Sequence, residues 1–373
     1  MAITIKSFPQ ASGYVSANEE VWHVVDSTNK AVIGMKYIFD IYKGATLQTR
    51  IANSPYGADS YGVLNVGSIA RAGVVVSNLG DLDMTSAYNT NYGVLTAGAD
   101  YWFTEYDVRY GEICGTTTTA NMASGTHRVY NTYNRHPIHR SGAALSSGTV
   151  FLTNRPNISN TYNGEPVVLS INGKRATLGG EISVDTNGGE VSFSAIDGFH
   201  YFSLNSLDQD ALVSIFINDA VVGTRTIKSK CSKYTPFTLV FLNSYGAWDS
   251  FTFVNGNILT DNEKKKYERE RWQLSGFNMV DKTGKVRYEG MKTYGVKFNT
   301  KMKLTTDILN SDEYKWLFEL IVSPLVYLWD KTNILFHPVQ ITDTNYEIKN
   351  SLQNKTETLE VNIDVFNQNT QFR

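Results

Sequence analysis

The sequence predicts a mainly β chain: two immunoglobulin- or fibronectin-like β-sandwich domains, then a C-terminal β-rich α+β domain with one helix at about 311–322. Three observations lead there. The 373 residues include 22 Tyr, 18 Phe and 29 Gly but only 8 Pro, a composition of strand formers punctuated by turn formers. Apolar and polar residues alternate over short runs bounded by Gly, Asn, Asp and Ser. A single segment near the C-terminus instead carries the 3.6-residue period of a helix.

The first domain is placed at 1–114. Short strands are expected at 3–8, 20–25, 36–42 and 46–51, with Lys43-Gly44-Ala45 as a hairpin turn between the last two. An aromatic-dense strand follows at 100–110. Residues 115–165 are small, polar and Gly/Ser/Thr-rich, and are expected to form a long loop or exposed arm ordered by a neighbour. The second sandwich is placed at 166–230, where VVLSING, EVSFSAI, HYFSLN and LVSIFIND alternate with period 2.

The C-terminal domain, 231–373, opens with two strands around Tyr245-Gly246-Ala247. The charge run DNEKKKYERERW at 261–272 is expected to be a solvated strand or loop. In the helix, Ser311 is expected as N-cap, Asp312 and Glu313 favour the positive end of the helix dipole, and Tyr314, Leu317, Leu320 and Ile321 form an apolar stripe that Pro324 ends. Strands LVYLWD, FHPVQIT, NYEIKN and ETLEVNIDVF follow.

Composition also excludes functions. A net charge of −2 rules out the global basic field that drives non-specific nucleic-acid binding, although loose passage of DNA through a conduit remains compatible with it. Charged residues at 19% and hydrophobic residues at 42% describe a folded chain. No run approaches the ~20 apolar residues of a membrane span, and the N-terminus lacks the pattern of a secretory signal. Cys114 and Cys231 are expected as free thiols.

A search for chemistry yields no assigned catalytic, cofactor-binding or metal residue, and no cofactor is implied. GxSxG, HExxH, GxGxxG and Walker-type loops are all missing from the sequence. His127, His136 and His139 form the one histidine cluster, but no carboxylate or thiol lies nearby in sequence to complete a metal shell. Glu105, Asp107 and Glu112 lie along one expected strand, and the first two have the spacing of a glycosidase pair; so do many solvated strand faces. The chain is therefore expected not to be an enzyme.

Three segments resemble virion structural proteins of tailed phages that infect Bacteroidetes, crAss-like phages included. They are YIFDIYKGATLQTRIANSPYGADSYGVLNVGSIARAGV (37–74), CSKYTPFTLVFLNSYGAWDSFTF (231–253), and LNSDEYKWLFELIVSPLVYL (309–328) with the tail ending in Phe372-Arg373. In the second, Phe241 stands where the family has Trp and Ala247 where it has a second Gly. The resemblance implies a tail, neck or baseplate ring protein, made in the host cytoplasm and carried in the virion. Its partners would be copies of itself and neighbouring tail, neck or portal proteins. Within that resemblance Asn243, Gly246 and Asp249 read as turn determinants, with Asp249 capping backbone amides, and Trp248, Phe251 and Phe253 as core anchors. A receptor- or carbohydrate-binding module of the same particle stays open as an alternative, and a glycan hydrolase as a weaker one.

Overall fold

The computed structural model describes residues 3–7, 15–16, 20–73, 92–96, 103–115, 117–130, 132, 150–162, 164–172, 181–186, 189–194, 199–204, 210–268, 272–275, 278–281, 291–333, 335–343 and 358–372. The chain is mostly β-strand, with helices at Gly67–Gly73 and Ser311–Val322.

The N-terminal sandwich sets a five-stranded sheet against a three-stranded one. The first has the order Val15–Ser16, Thr117–Tyr130, Phe103–Cys114, Lys36–Lys43, Thr46–Asn53; the second has Ile3–Ser7, Trp22–Ser27, Gly62–Asn65. Both inner faces contribute to one core, in which Val25, Phe39, Val108 and Tyr110 are fully buried. The expected hairpin turn forms: Lys43 pairs with Thr46, and Gly44 takes φ +59°, a conformation that favours glycine.

The second sandwich pairs a five-stranded sheet (Ile158–Tyr162, Ala220–Lys230, Ala211–Ile217, Glu181–Thr186, Gly189–Ser194) with a three-stranded one (Val167–Asn172, Phe199–Leu204, Tyr92–Thr96). Leu169, Ile171, Ile182, Val213 and Ile215 meet at its centre.

Two expectations are corrected here. The arm placed at 115–165 contains two strands: Thr117–Tyr130 runs antiparallel along Phe103–Cys114, and Ile158–Tyr162 lies parallel to Ala220–Lys230. The run of threonines is β-branched and suits a pleated surface, and the long ladder outweighs the Gly and Ser content that reads as loop. Residues 133–149 of that expected arm lie outside the described residues, and the described 150–157 carry only an isolated bridge from Phe151 to Ile171. The domain limits move accordingly: the first sandwich extends to Tyr130, while Tyr92–Thr96, expected within it, joins the second through Phe199–Leu204.

The C-terminal domain is a seven-stranded sheet in the order Trp248–Phe253, Phe237–Leu242, Val326–Asp330, Leu335–Ile341, Glu360–Phe372, Met291–Thr305, Asn255–Glu268. The helix Ser311–Val322 covers one face, burying Trp316, Leu317 and Leu320 against Phe241, Phe251 and Phe253. Its N-cap is Asn310, one residue before the expected Ser311. The Asn310 side chain accepts from the amides of Asp312 and Glu313, and the Glu313 carboxylate accepts from the Asn310 amide, closing a capping box. The helix stops at Val322, before Pro324. The expected strand NYEIKN falls outside the described residues.

Candidate functional site: a buried polar joint and a protruding ribbon

The turn between Phe237–Leu242 and Trp248–Phe253 is built as the sequence suggests, with the roles exchanged. Gly246 sits at φ +69°. It is the Asn243 side chain, and not Asp249, that caps the turn: its Oδ1 accepts from the amides of Tyr245 and Ala247 at 2.9 and 3.1 Å. This frees Asp249 for a longer-range task. Its carboxylate accepts from Thr153 Oγ1 at 2.6 Å and from Trp316 Nε1 at 3.2 Å, so one buried carboxylate ties the 150–155 segment, the turn and the helix together.

Arg155 occupies the same interior. Its Nε donates to Ser159 at 2.7 Å, its Nη1 donates to the Ser250 carbonyl at 3.1 Å, and its guanidinium lies 5.1 Å from the centre of the Trp316 ring. Burial pushes the Arg155 guanidinium down to about 10, opposed by the charges of Asp249 and Glu313. Burial likewise raises the Asp249 carboxyl above the ordinary carboxylate range, opposed by Thr153, Arg155, Asn243 and Trp316. Each charge makes the other tolerable in a place where water cannot reach.

Around this pair the helix supplies two more buried carboxylates. Glu319 accepts from Asn154 Nδ2 at 2.6 Å and from the Ser244 amide at 3.1 Å, and Glu313 accepts from Asn160 Nδ2 at 3.0 Å. At the rim Glu165 accepts from Thr238 Oγ1 at 2.6 Å. Burial raises the Glu165 carboxyl, while Thr238 and Lys331 pull it back. The 150–165 segment is thus bolted into the C-terminal domain by polar groups. Trp248, Phe251 and Phe253 are buried as expected.

The second feature is a ribbon. Asn255–Glu268 and Met291–Thr305 pair antiparallel along their length, and Glu360–Phe372 lies beside the latter. Among the described residues of this ribbon, the domain core includes Met302 and Leu304 and none farther out. Beyond it, residues 259–268 run on for roughly 30 Å at ~3.3 Å per residue. Leu259, Tyr267 and Tyr294 are exposed there, as is Ile258 at its base opposite Met302, and the two tyrosine rings are 5.9 Å apart. The charge run at 261–272 is mostly this strand, and Lys264, Lys265 and Lys266 are exposed as expected.

The structure divides the acidic trio of the N-terminal sandwich. Glu105 faces outward and accepts from Arg128 Nε at 2.6 Å. Asp107 lies on the same face of the strand. Glu112 turns inward, is buried, and accepts from Ser27 Oγ and from Asn29 Nδ2. A half-open hollow of about 190 Å³, lined by Ile41, Tyr42, Gln48, Ile69, Glu105 and Tyr106, lies next to Glu105.

Of the histidine cluster, His136 and His139 lie outside the described residues. His127 is buried, and its neighbour is the distant His23, ring centres 5.3 Å apart. His23 Nδ1 meets Tyr110 Oη at 2.8 Å and Nε2 meets Tyr106 Oη at 3.3 Å. Burial, with His127 beside it, pushes the His23 imidazole down to about 3. No group of metal-ligating side chains occurs among the described residues. Cys114 and Cys231 are free thiols.

Sequence reasoning passed over Arg155, Glu313 and Glu319 as joint residues. The signal available was three charged side chains in otherwise apolar or turn-forming surroundings; apart from the local bonds of Arg155 to Ser159 and of Glu313 to Asn310, the partners that make the joint lie 75 to 165 residues away, beyond the reach of any local pattern.

No protein-family model matches the chain, and no curated protein does. Among solved structures, the fibronectin(III)-like modules of CbhA from Clostridium thermocellum are 13% identical, with 61% of this chain and 93% of theirs covered, at a TM-score of 0.19. FdeC, an adhesin of Escherichia coli, is 10% identical, with 98% of this chain and 87% of FdeC covered, also at 0.19. At that TM-score neither likeness carries an argument about this chain, whose β-sandwich architecture rests on its own strand pairing.

Proposed function

We propose that the chain is a non-enzymatic structural subunit of a virion, a ring-forming component of a bacteriophage tail or neck that surrounds or supports the DNA channel. The observation that carries this reading is the ribbon, which continues well past the core it grows from and holds exposed apolar side chains at its edge. Such a ribbon cannot stabilise its own domain, but it suits a clamp on a neighbouring subunit. Two further features support the reading. The buried polar joint fixes the 150–165 segment to the C-terminal domain. The resemblance in 37–74, 231–253 and 309–373 points to phage virion proteins.

Electron microscopy of the purified protein beside intact particles tests this. A closed ring, matched to a layer of the tail or neck, is expected; a monomer that binds cell-surface glycan overturns the proposal. That second outcome corresponds to a receptor- or carbohydrate-binding module, a reading favoured by one observation, the hollow beside Tyr42, Gln48 and Glu105.

A further inference from the structure

We propose that Ile33, at the apex of the 28–34 turn, is the knob of a head-to-tail contact between copies of this chain, seated in the hollow beside Tyr42, Ile69 and Glu105 of the next copy. The inference rests on the structural-subunit reading and gives its ring a specific contact.

The knob is exposed but built. Ile33 is 99% exposed and its neighbour Val32 47%. Single apolar side chains on a surface are ordinary, but this pair is displayed by a turn held from several sides. The Val32 amide donates to the Asn29 carbonyl at 2.9 Å, and the Met35 amide to the Val32 carbonyl at 3.1 Å. Asn29 Nδ2 donates to the buried Glu112 at 2.6 Å, and Lys30 pairs with Asp26 at 3.0 Å. Gly34 closes the turn at φ +78°. A side chain fixed in this way loses little further freedom when a partner buries it.

The hollow is the complementary feature. The buried Ile41, Val66, Ala70 and Tyr106 line its half-open volume of about 190 Å³. A dry apolar cavity of ~150 Å³ holds a benzene ring, so an isoleucine side chain fits.

Position decides that the two features belong to different copies. The strand Lys36–Lys43 begins just after the turn and ends at the hollow, which its last three residues line. Its 8 residues at ~3.3 Å each set knob and hollow roughly 25 Å apart, at opposite ends of the N-terminal sandwich. Ile33 therefore cannot fill the hollow of its own chain. A knob at one end and a hollow at the other make a heterologous contact, which repeats head to tail until it closes into a ring.

Charge agrees with that polarity. The 54–61 loop shares the knob end, since Asn53 pairs with Tyr37 and Lys30 lies 5.3 Å from the centre of the Tyr61 ring. This loop carries the exposed Asp59, and the exposed Lys43 stands at the hollow. Neither has an ion pair among the described residues. Head-to-tail association brings these opposite charges into one interface.

The test uses the full chain, with mass read by sedimentation. Ile33→Glu places a charge in the apolar hollow, and Ala72→Trp fills the hollow from its exposed wall. Each is expected to weaken association on the order of 100-fold. Lys43→Glu and Asp59→Lys are each expected to weaken it by roughly 5- to 10-fold, and the double variant Lys43→Glu/Asp59→Lys to restore it. All four positions are exposed, and an unchanged circular dichroism spectrum verifies the fold. A wild type that stays monomeric overturns the contact. Closed rings that keep their mass in both Ile33→Glu and Ala72→Trp overturn it while leaving the structural-subunit reading in place. Open chains of wild type that both variants dissolve support the contact and overturn the ring.

Discussion

The hydroxyl of Ser170 donates to the carbonyl oxygen of Trp248 at 2.9 Å and accepts from the amide of the same residue at 3.2 Å. One small side chain thus closes two main-chain groups on the edge of the seven-stranded sheet. Ser250 reaches in the other direction and closes one group, its Oγ accepting from the Val168 amide at 2.8 Å. Two sheets of different domains are joined edge to edge through hydroxyl groups in place of a backbone ladder. Backbone groups buried at such an edge must be satisfied, and serine is the smallest side chain that can do it.

Replacing Ser170 by Ala strands both Trp248 groups in a buried site. The expected loss is about 1–3 kcal/mol in denaturant unfolding. Ser170→Thr retains the hydroxyl and should recover part of that loss.

The Arg155–Asp249 interior predicts an asymmetry. Arg155→Met removes one charge and leaves Asp249 buried among neutral donors, at an expected cost of about 3–5 kcal/mol. The double variant Arg155→Met/Asp249→Asn should be less destabilised than the sum of its single changes, which a double-mutant cycle in urea measures directly.

Asp249 also predicts a pH dependence. Its carboxyl is raised in the folded chain, so the folded state holds that proton more tightly than the unfolded state. The contribution is most favourable below the ordinary aspartate value near ~3.9 and is lost as pH rises through the folded value. The stability of wild type relative to Asp249→Asn should therefore fall as pH rises from about 4, by at most about 1.4 kcal/mol per pH unit. A flat difference across that window would show that Asp249 is not shifted upward.

How far the sequence was legible follows from the range of each interaction. Gly44, Gly246 and the stripe of Tyr314, Leu317 and Leu320 are local features, and all appear where their neighbours imply. The helix cap missed by one residue because Asn310 and Ser311 are both good caps, and only the Glu313 carboxylate reaching back to Asn310 decides between them. The strand at Thr117–Tyr130 was hidden because Gly, Ser and Thr in one run read as loop, whereas its ladder to Phe103–Cys114 is a tertiary fact. The joint was hidden for a stronger reason. Asp249 looks like a turn cap beside Gly246, and only the arrival of Thr153 and Trp316 from elsewhere in the chain gives it another role.

Gly62 predicts a steric limit in the N-terminal sandwich. A Cβ there would collide with the Tyr37 ring, which is fully buried and anchored by a 2.9 Å bond from its hydroxyl to the Ser60 carbonyl. Gly62→Ala should cost about 1–3 kcal/mol through overpacking. Gly57→Ala, where the space is open but φ is +73°, should cost less than that through backbone strain alone. Thermal unfolding of the two variants separates the two effects.

His23 predicts where acid attacks the molecule. The imidazole is buried between Tyr106 and Tyr110, with His127 beside it, and is held down to about 3. In the unfolded chain it titrates at its ordinary value of 6.5. The folded state therefore binds fewer protons between those values. Its contribution to stability is complete above pH 6.5 and is lost as pH falls towards 3, at up to about 1.4 kcal/mol per pH unit. Removing the proton site while keeping the ring volume, as in His23→Phe, sacrifices the bonds to Tyr106 and Tyr110, so the variant should be less stable than wild type at pH 7. On acidification its stability should decline more slowly, and the two curves should converge or cross between pH 6 and 4. Tyr110→Phe provides the control, since it removes the 2.8 Å bond to His23 but leaves the titrating ring in place: it should lower stability and keep the wild-type slope. Parallel curves for wild type and His23→Phe would place the acid sensitivity elsewhere, with the buried Glu165 and Asp249 excluded as its source, because raised carboxyls stabilise the fold as pH falls.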